Sequence, residues 1–269
     1  MSSVRLRGIE IAYTDEGSGA PIVFLHGFPF NRSMWRDQID ALRETHRVIA
    51  PDLRGHGESE VAPVTIPEMA RDVAGLLTAL DINQAVVGGL SMGGYVALSF
   101  CRQFSERVTA LLLADTRASA DTEEGKQNRA LQAERVMLEG MEGIANEMLP
   151  KLLRPESKPD VVSRVRQMIV RTKPLGAVAA LQAMATRDDQ TDFLSRINKP
   201  TLILVGVEDV ITPLKDSQLM LHEIQRSSLE IIQQAGHVSN LEQPEQFNRL
   251  VNVFLERTFV SNQQQTAKN

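Results

Sequence analysis

Five consecutive residues, Gly89-Leu90-Ser91-Met92-Gly93, carry the clearest chemical signal in the sequence. The serine follows a short apolar run (residues 85–88) and precedes a helix-like one (residues 95–100). Gly-x-Ser-x-Gly at a strand–turn–helix junction is the pattern of a nucleophile elbow. A hydroxyl projected from such a turn needs the backbone to pass close on both sides, and Gly89 and Gly93 leave that room. A helix beginning at Met92 would aim its free N–H groups at the place where an oxyanion forms.

A serine nucleophile needs a base, and the base needs an orienting carboxylate. Of the histidines, His237 alone sits in a loop, Gln234-Ala235-Gly236-His237-Val238, directly after the last apolar run. Sites in open α/β sheets gather at such strand ends. His46 and His222 read as surface residues, His56 as a turn-ordering one, and His26 as structural. No histidine pair has the helix spacing of metal ligands, so no metal is expected, and the chemistry requires no organic cofactor. For the carboxylate, Asp209 closes the run Leu204-Val205-Gly206-Val207-Glu208-Asp209. Its neighbour Glu208 should then point elsewhere. Asp115, at the end of the strand that follows the nucleophile helix, is the rival. A second oxyanion donor is available in His26-Gly27-Phe28-Pro29, where a sharp turn at Gly27 presents the Phe28 N–H.

These residues must be held by a sheet. Apolar runs at residues 21–25, 48–53, 85–88, 110–114, 201–205 and 229–232 read as strands buried on both faces of a parallel sheet. Residues 4–14 alternate around Gly8 and suit an N-terminal hairpin. Ile66-Pro67 opens an amphipathic helix, with Met69, Val73, Leu76, Leu77 and Leu80 on one face. Strand and helix alternate, so the class is α/β with a mostly parallel central sheet flanked by helices. Residues 117–190 interrupt that alternation. They are helical in character and contain no Phe, Trp or Tyr. They are expected to form a cap inserted after the sixth core strand. Residues 1–116 and 191–260 then make the core, and residues 261–269 a flexible tail.

Composition narrows the partners. A chain of 269 residues, 42% of them hydrophobic, suits one core with an insertion. A net charge of −5 gives no electrostatic reason to bind nucleic acid. No apolar run approaches the ~20 residues that span a bilayer, and the N-terminus lacks an apolar signal region. A cytoplasmic protein acting on a small molecule is expected, with the lone Cys101 in the core.

Five motifs in order resemble the α/β-hydrolase superfamily along nearly the full chain. They are His26-Gly27-Phe28-Pro29, Asp52-Leu53-Arg54-Gly55-His56-Gly57-Glu58-Ser59, Gly89 to Gly94, Gly206 to Asp209 with Ile211-Thr212-Pro213, and Gly236-His237 with Asn240-Leu241-Glu242-Gln243-Pro244. The resemblance implies a Ser91–His237–Asp209 triad with oxyanion donors at Phe28 and Met92. Within the superfamily the chain is most similar to small bacterial esterases and to 3-oxoadipate enol-lactonases. Dehalogenases and epoxide hydrolases of the fold place aspartate where Ser91 stands, and the latter need cap tyrosines. Proline iminopeptidases carry Trp in place of Met92, and carbon–carbon bond hydrolases an aromatic in place of Val238. A carboxylic-ester hydrolase forming an acyl-enzyme is therefore the expected activity. A lactonase is the alternative, with cap cations (Arg129, Arg135, Lys151, Arg154, Arg171) to read an anionic substrate. A non-catalytic receptor on the same fold is a third reading. Dinucleotide binding is a poor fit, because Ser91 stands where a Gly-x-Gly-x-x-Gly turn needs its second glycine.

Candidate pocket walls are Phe30, Trp35, Met137, Met141 and Val238, each of which also suits a core. The cap methionines, Met148, Met168 and Met184 among them, suggest an adaptable wall tolerant of short and medium acyl groups.

Overall fold

A computed structural model describes residues 2–266, with side chains through Phe259. The sheet has eight strands, β1 (Ser2–Leu6), β2 (Ile9–Glu16), β3 (Ala20–Leu25), β4 (His46–Pro51), β5 (Ala85–Leu90), β6 (Val108–Ala114), β7 (Thr201–Gly206) and β8 (Ser227–Ile232). Their order is β1-β2-β4-β3-β5-β6-β7-β8. The first two pairings are antiparallel, and every pairing from β4 to β8 is parallel. The expected hairpin is present, with Gly8 at φ 89° in its turn, a conformation that glycine adopts without strain. Strand β5 is buried at every position, as a central parallel strand covered on both faces should be.

The helices are α1 (Arg36–Leu42), α2 (Ile66–Ala79), α3 (Met92–Gln103), α4 (Glu123–Leu152), α5 (Pro159–Val170), α6 (Pro174–Ala185), α7 (Thr191–Leu194), α8 (Leu214–Glu223), α9 (Ser239–Glu242) and α10 (Pro244–Thr266). Thr65 starts α2 with a reciprocal capping box to Glu68, and Pro67 occupies the first turn, where its missing N–H costs nothing. Helix α10 runs on to Thr266, so helix replaces the expected tail over residues 261–266. Residues 267–269 of that tail lie outside the described residues. No described helix is long and apolar enough to cross a membrane.

Helices α4 to α6 form the insertion after β6. Helix α4 breaks at Gly140, whose φ of 68° interrupts the helical path. The insertion is fastened to the core by specific contacts. Thr172 donates to the carbonyl of Pro29 (2.6 Å), and Lys173 to that of Ser59 (2.8 Å). Where α6 crosses the Arg54-Gly55-His56 turn, backbone meets backbone. A Cβ on Gly176 would lie 1.9 Å from the Gly55 carbonyl oxygen.

Candidate active site

The C-terminal ends of β3, β5, β6 and β7 and the loop after β8 converge, which puts side chains from far apart in sequence within reach of one another. Ser91 stands between β5 and α3 with φ 55° and ψ −115°, a left-handed conformation costly for a residue with a side chain. The flanking glycines explain how the turn closes. A Cβ on Gly89 would lie 2.1 Å from the Gly93 carbonyl oxygen, and one on Gly93 would lie 2.0 Å from that of Leu25. Thr116 donates to the Ser91 carbonyl at 2.8 Å and steadies the turn.

The Ser91 Oγ lies 2.8 Å from His237 Nε2, and His237 Nδ1 lies 2.8 Å from Asp209 Oδ2. With Nδ1 protonated toward the carboxylate, Nε2 is free to accept the serine proton. Asp209 is itself held on both oxygens. Its Oδ1 accepts the N–H groups of Ile211 (2.8 Å) and Thr212 (2.9 Å), and its Oδ2 accepts the Thr212 hydroxyl (2.6 Å). Burial pushes this carboxyl upward, but His237 and the Thr212 hydrogen bonds outweigh it and hold it below the ordinary carboxylate range. The Ile211-Thr212 motif thus serves as the cradle of Asp209, a role the spacing alone did not reveal.

Asp115 does not join this relay. It is fully buried at the end of β6, where Oδ1 accepts the Gly206 N–H (2.8 Å) and Oδ2 accepts the Ser239 hydroxyl. Burial and the nearby Asp209 charge push it well above the ordinary range. Its partners are the turn that carries Asp209 and the residue two past His237, so it braces the relay from behind.

Gly27 packs against the elbow, with a hypothetical Cβ 3.4 Å from that of Ser91. Among the described residues, neither the Phe28 N–H nor the Met92 N–H donates to a protein acceptor. Met92 occupies the first position of α3, where an N–H has no partner within its helix. His26 and His56 are structural, as expected. His26 accepts the Leu53 N–H at Nε2 (2.9 Å) and contacts the Gly27 carbonyl through Nδ1 (2.9 Å). Burial pushes His26 down to about 4 and His56 to about 3, so both are neutral imidazoles at pH 7. Nearby, Asp52 accepts the backbone N–H groups of Arg32 (2.7 Å) and Glu58 (2.9 Å) and fastens the second motif.

Ser91 and His237 open on a cavity of about 170 Å³. Its apolar wall includes Phe28, Met148, Leu152, Met184 and Ile211, and its polar wall includes Arg129, Gln132, Glu147 and Lys151. None of the five expected walls lines this cavity. Phe30 and Trp35 are core residues, and Trp35 stacks on Phe24 with ring centres 4.7 Å apart. Val238 and Met141 are buried outside the cavity lining. Met137, 60% exposed, faces an outer groove between α4 and α6. Tyr95, from the core, supplies a ring that the aromatic-free cap does not.

A profile of the alpha/beta hydrolase fold family matches residues 20–244. The chain belongs to the α/β-hydrolase family. The 3-oxoadipate enol-lactonase 2 of Acinetobacter baylyi is 32% identical over 241 residues, covering 88% of each chain. A thermophilic esterase from Thermogutta terrifontis superposes on this hydrolase with a TM-score of 0.92 at 43% identity, over 95% of this chain and 97% of that one. The enol-lactonase of Burkholderia xenovorans LB400 gives 0.88 at 28% identity, over 95% of this chain and 100% of its own. This chain is thus a hydrolase close to small esterases and enol-lactonases.

Proposed function

We propose that this α/β-hydrolase cleaves carboxylic esters through a Ser91–His237–Asp209 triad and an acyl-enzyme. The 2.8 Å contact between Ser91 Oγ and His237 Nε2 carries the reading. As the Ser91 oxygen bonds to the ester carbon, its proton passes to Nε2. Asp209 keeps the imidazole oriented and balances its charge. The carbonyl oxygen, now anionic, accepts the Phe28 and Met92 N–H groups. Collapse breaks the carbon–alkoxy bond, and His237 returns the proton to the leaving alcohol. Water then repeats the sequence on the acyl-enzyme, losing its proton to His237 and releasing acid and free Ser91. These groups supply every proton transfer, so the reading includes no metal and no organic cofactor. It is of a cytoplasmic enzyme with a small-molecule substrate.

The test is direct. A fluorophosphonate should add once, on Ser91, and Ser91→Ala should abolish both labelling and ester hydrolysis. Full activity in Ser91→Ala would overturn the serine mechanism, whereas a wild type that hydrolyses no ester would leave the receptor reading in place of the enzyme.

A second reading, an enol-lactone hydrolase, is favoured by Arg129 and Lys151 in the cavity wall. Both already have partners: Arg129 pairs with Asp121, and Lys151 contacts Glu147 at 3.3 Å. The apolar half of the wall gives an alkyl ester a surface to bury, which favours the esterase. Comparing kcat/KM for a neutral butyrate ester and an anionic enol-lactone separates the two. A lactone preference above about a thousandfold, ~4 kcal/mol in transition-state binding, would replace the esterase reading. Arg129→Leu should then remove that preference.

A further inference from the structure

The motif after His237 contains a buried carboxylate that the hydrolytic mechanism does not use. Glu242 ends the short helix α9 and is 7% exposed. Its side chain turns back along the chain and toward the cap. Oε2 accepts the Gly236 N–H at 2.6 Å. Oε1 accepts the Arg154 N–H at 3.2 Å and also the Ser157 hydroxyl. One side chain therefore joins the Ala235–Gly236 peptide, one unit before that of His237, to the segment that leaves α4.

A second contact runs in parallel. The N–H of His237 donates to the carbonyl of Leu152 at 2.9 Å. Leu152 is the last residue of α4, and the carbonyls of a helix's last turn have no partner within the helix. The catalytic loop therefore caps a cap helix. Gly236 makes the approach possible, since a Cβ there would already be 3.0 Å from the Leu152 carbonyl oxygen. Leu152 is also a wall of the Ser91 cavity. The same few residues thus set where substrate rests and where the imidazole stands.

We propose that Glu242 is a positioning residue, clamping the end of α4 onto the Gly236–His237 backbone so that seating of the cap and placement of the base are one event. The inference rests on the reading of His237 as the base. The chemistry of the clamp requires a carboxylate. Three donors converge on its two oxygens, and a glutamine can face only one side with an acceptor. If its oxygen stays with Arg154 and Ser157, its NH₂ opposes the Gly236 N–H. The loop must then shift, and misplacement of a reacting group by about an ångström costs on the order of 100-fold in rate.

The experiment uses the full chain and p-nitrophenyl butyrate, comparing wild type, His237→Ala, Glu242→Gln, Ser157→Ala and the Glu242→Gln/Ser157→Ala pair. Steady-state constants, the rate of Ser91 labelling by a fluorophosphonate, and the thermal midpoint are measured for each. His237→Ala tests the underlying reading by itself, because its full activity would remove the base and not the clamp. Folded Glu242→Gln should lose about 10- to 100-fold in kcat, with KM within about threefold and labelling slowed in proportion. Ser157→Ala removes a single hydrogen bond from the clamp and should lose about threefold in kcat. In the pair, the serine change should add nothing further. A folded Glu242→Gln with kcat and labelling within twofold of wild type overturns the proposal. So does a loss of activity that only tracks the fraction unfolded at the assay temperature. Should Glu242→Gln not fold, an unchanged kcat in Ser157→Ala overturns it.

Discussion

The ends of β6 and β7 each carry a buried aspartate, Asp115 and Asp209, and the two do opposite things. Asp209 is surrounded by donors and a basic ring: two backbone N–H groups, the Thr212 hydroxyl and His237. Asp115 likewise accepts two backbone N–H groups, from Gly206 (2.8 Å) and Ser239 (3.4 Å), and the Ser239 hydroxyl, but it has no basic side chain among its hydrogen-bond partners. One site is built to keep a charge and the other to be relieved of one. Neighbouring strand ends in the same sheet thus set the same residue type among different partners, one bonded to the His237 ring and the other tying together the turns behind it.

Removing the charge of Asp209 should have the largest effect. Asp209→Asn should lower kcat by about three to four decades, since the amide favours the wrong imidazole tautomer. A loss under tenfold would dissolve the distinction between the two carboxylates. Thr212→Val sharpens it from the other side, deleting the 2.6 Å hydrogen bond to Asp209 Oδ2 while sparing the backbone donors. Its kcat should fall about tenfold, as expected for a hydrogen bond to a charged group. Asp115→Asn should change kcat only a few-fold. An amide there still accepts from Gly206 and can donate to the Ser239 hydroxyl, giving up only the long contact from the Ser239 N–H (3.4 Å). If Asp115→Asn were the crippled variant, the orienting acid would belong to β6.

The smallest signature is in stability, and its sign separates the pair. Asp209 lies below the ordinary carboxylate range in the folded state. It therefore adds stability above that range, lost as pH falls through its folded value. Asp115 lies above the range. It favours folding most at acid pH and loses that contribution as pH rises through its folded value. Melting curves from pH 3 to 9 should show Asp115→Asn gaining on wild type as pH rises. Asp209→Asn should instead lose its disadvantage as pH falls. Parallel curves would mean that the two environments do not differ.

Much of the site could be read from residue types and order. The elbow glycines are dictated by backbone collisions at Gly89 and Gly93, so their spacing is a local property of the chain. The strand runs, the hairpin and the capped α2 follow from local patterns too. The choice of Asp209 over Asp115 depended on the family resemblance as well as on position. The pocket walls were illegible for a physical reason. Trp35 and Phe30 are large and apolar, and those properties suit a core as well as a binding site. Only the placement of α4 and α6 decides which methionines look inward. Met148 and Met184 do, whereas Met137 lies outside. Glu242 stood in a recognised motif, but its partners Arg154 and Ser157 are in the cap, and no local rule links the two segments.

The crossing of Gly55 and Gly176 has a consequence for anyone recombining hydrolases of this fold. Caps are attractive modules to exchange, because they carry pocket walls and sit between fixed points in the chain. Here the seam between donor and recipient is two backbones in contact with no side chain to trim. A transplanted cap bearing alanine at the crossing would put a methyl group where a carbonyl oxygen already is. The insert would have to ride higher over the core, and every tether beyond that point would be drawn out of register. The unit of inheritance is therefore the cap helix together with the turn beneath it, glycine matched to glycine.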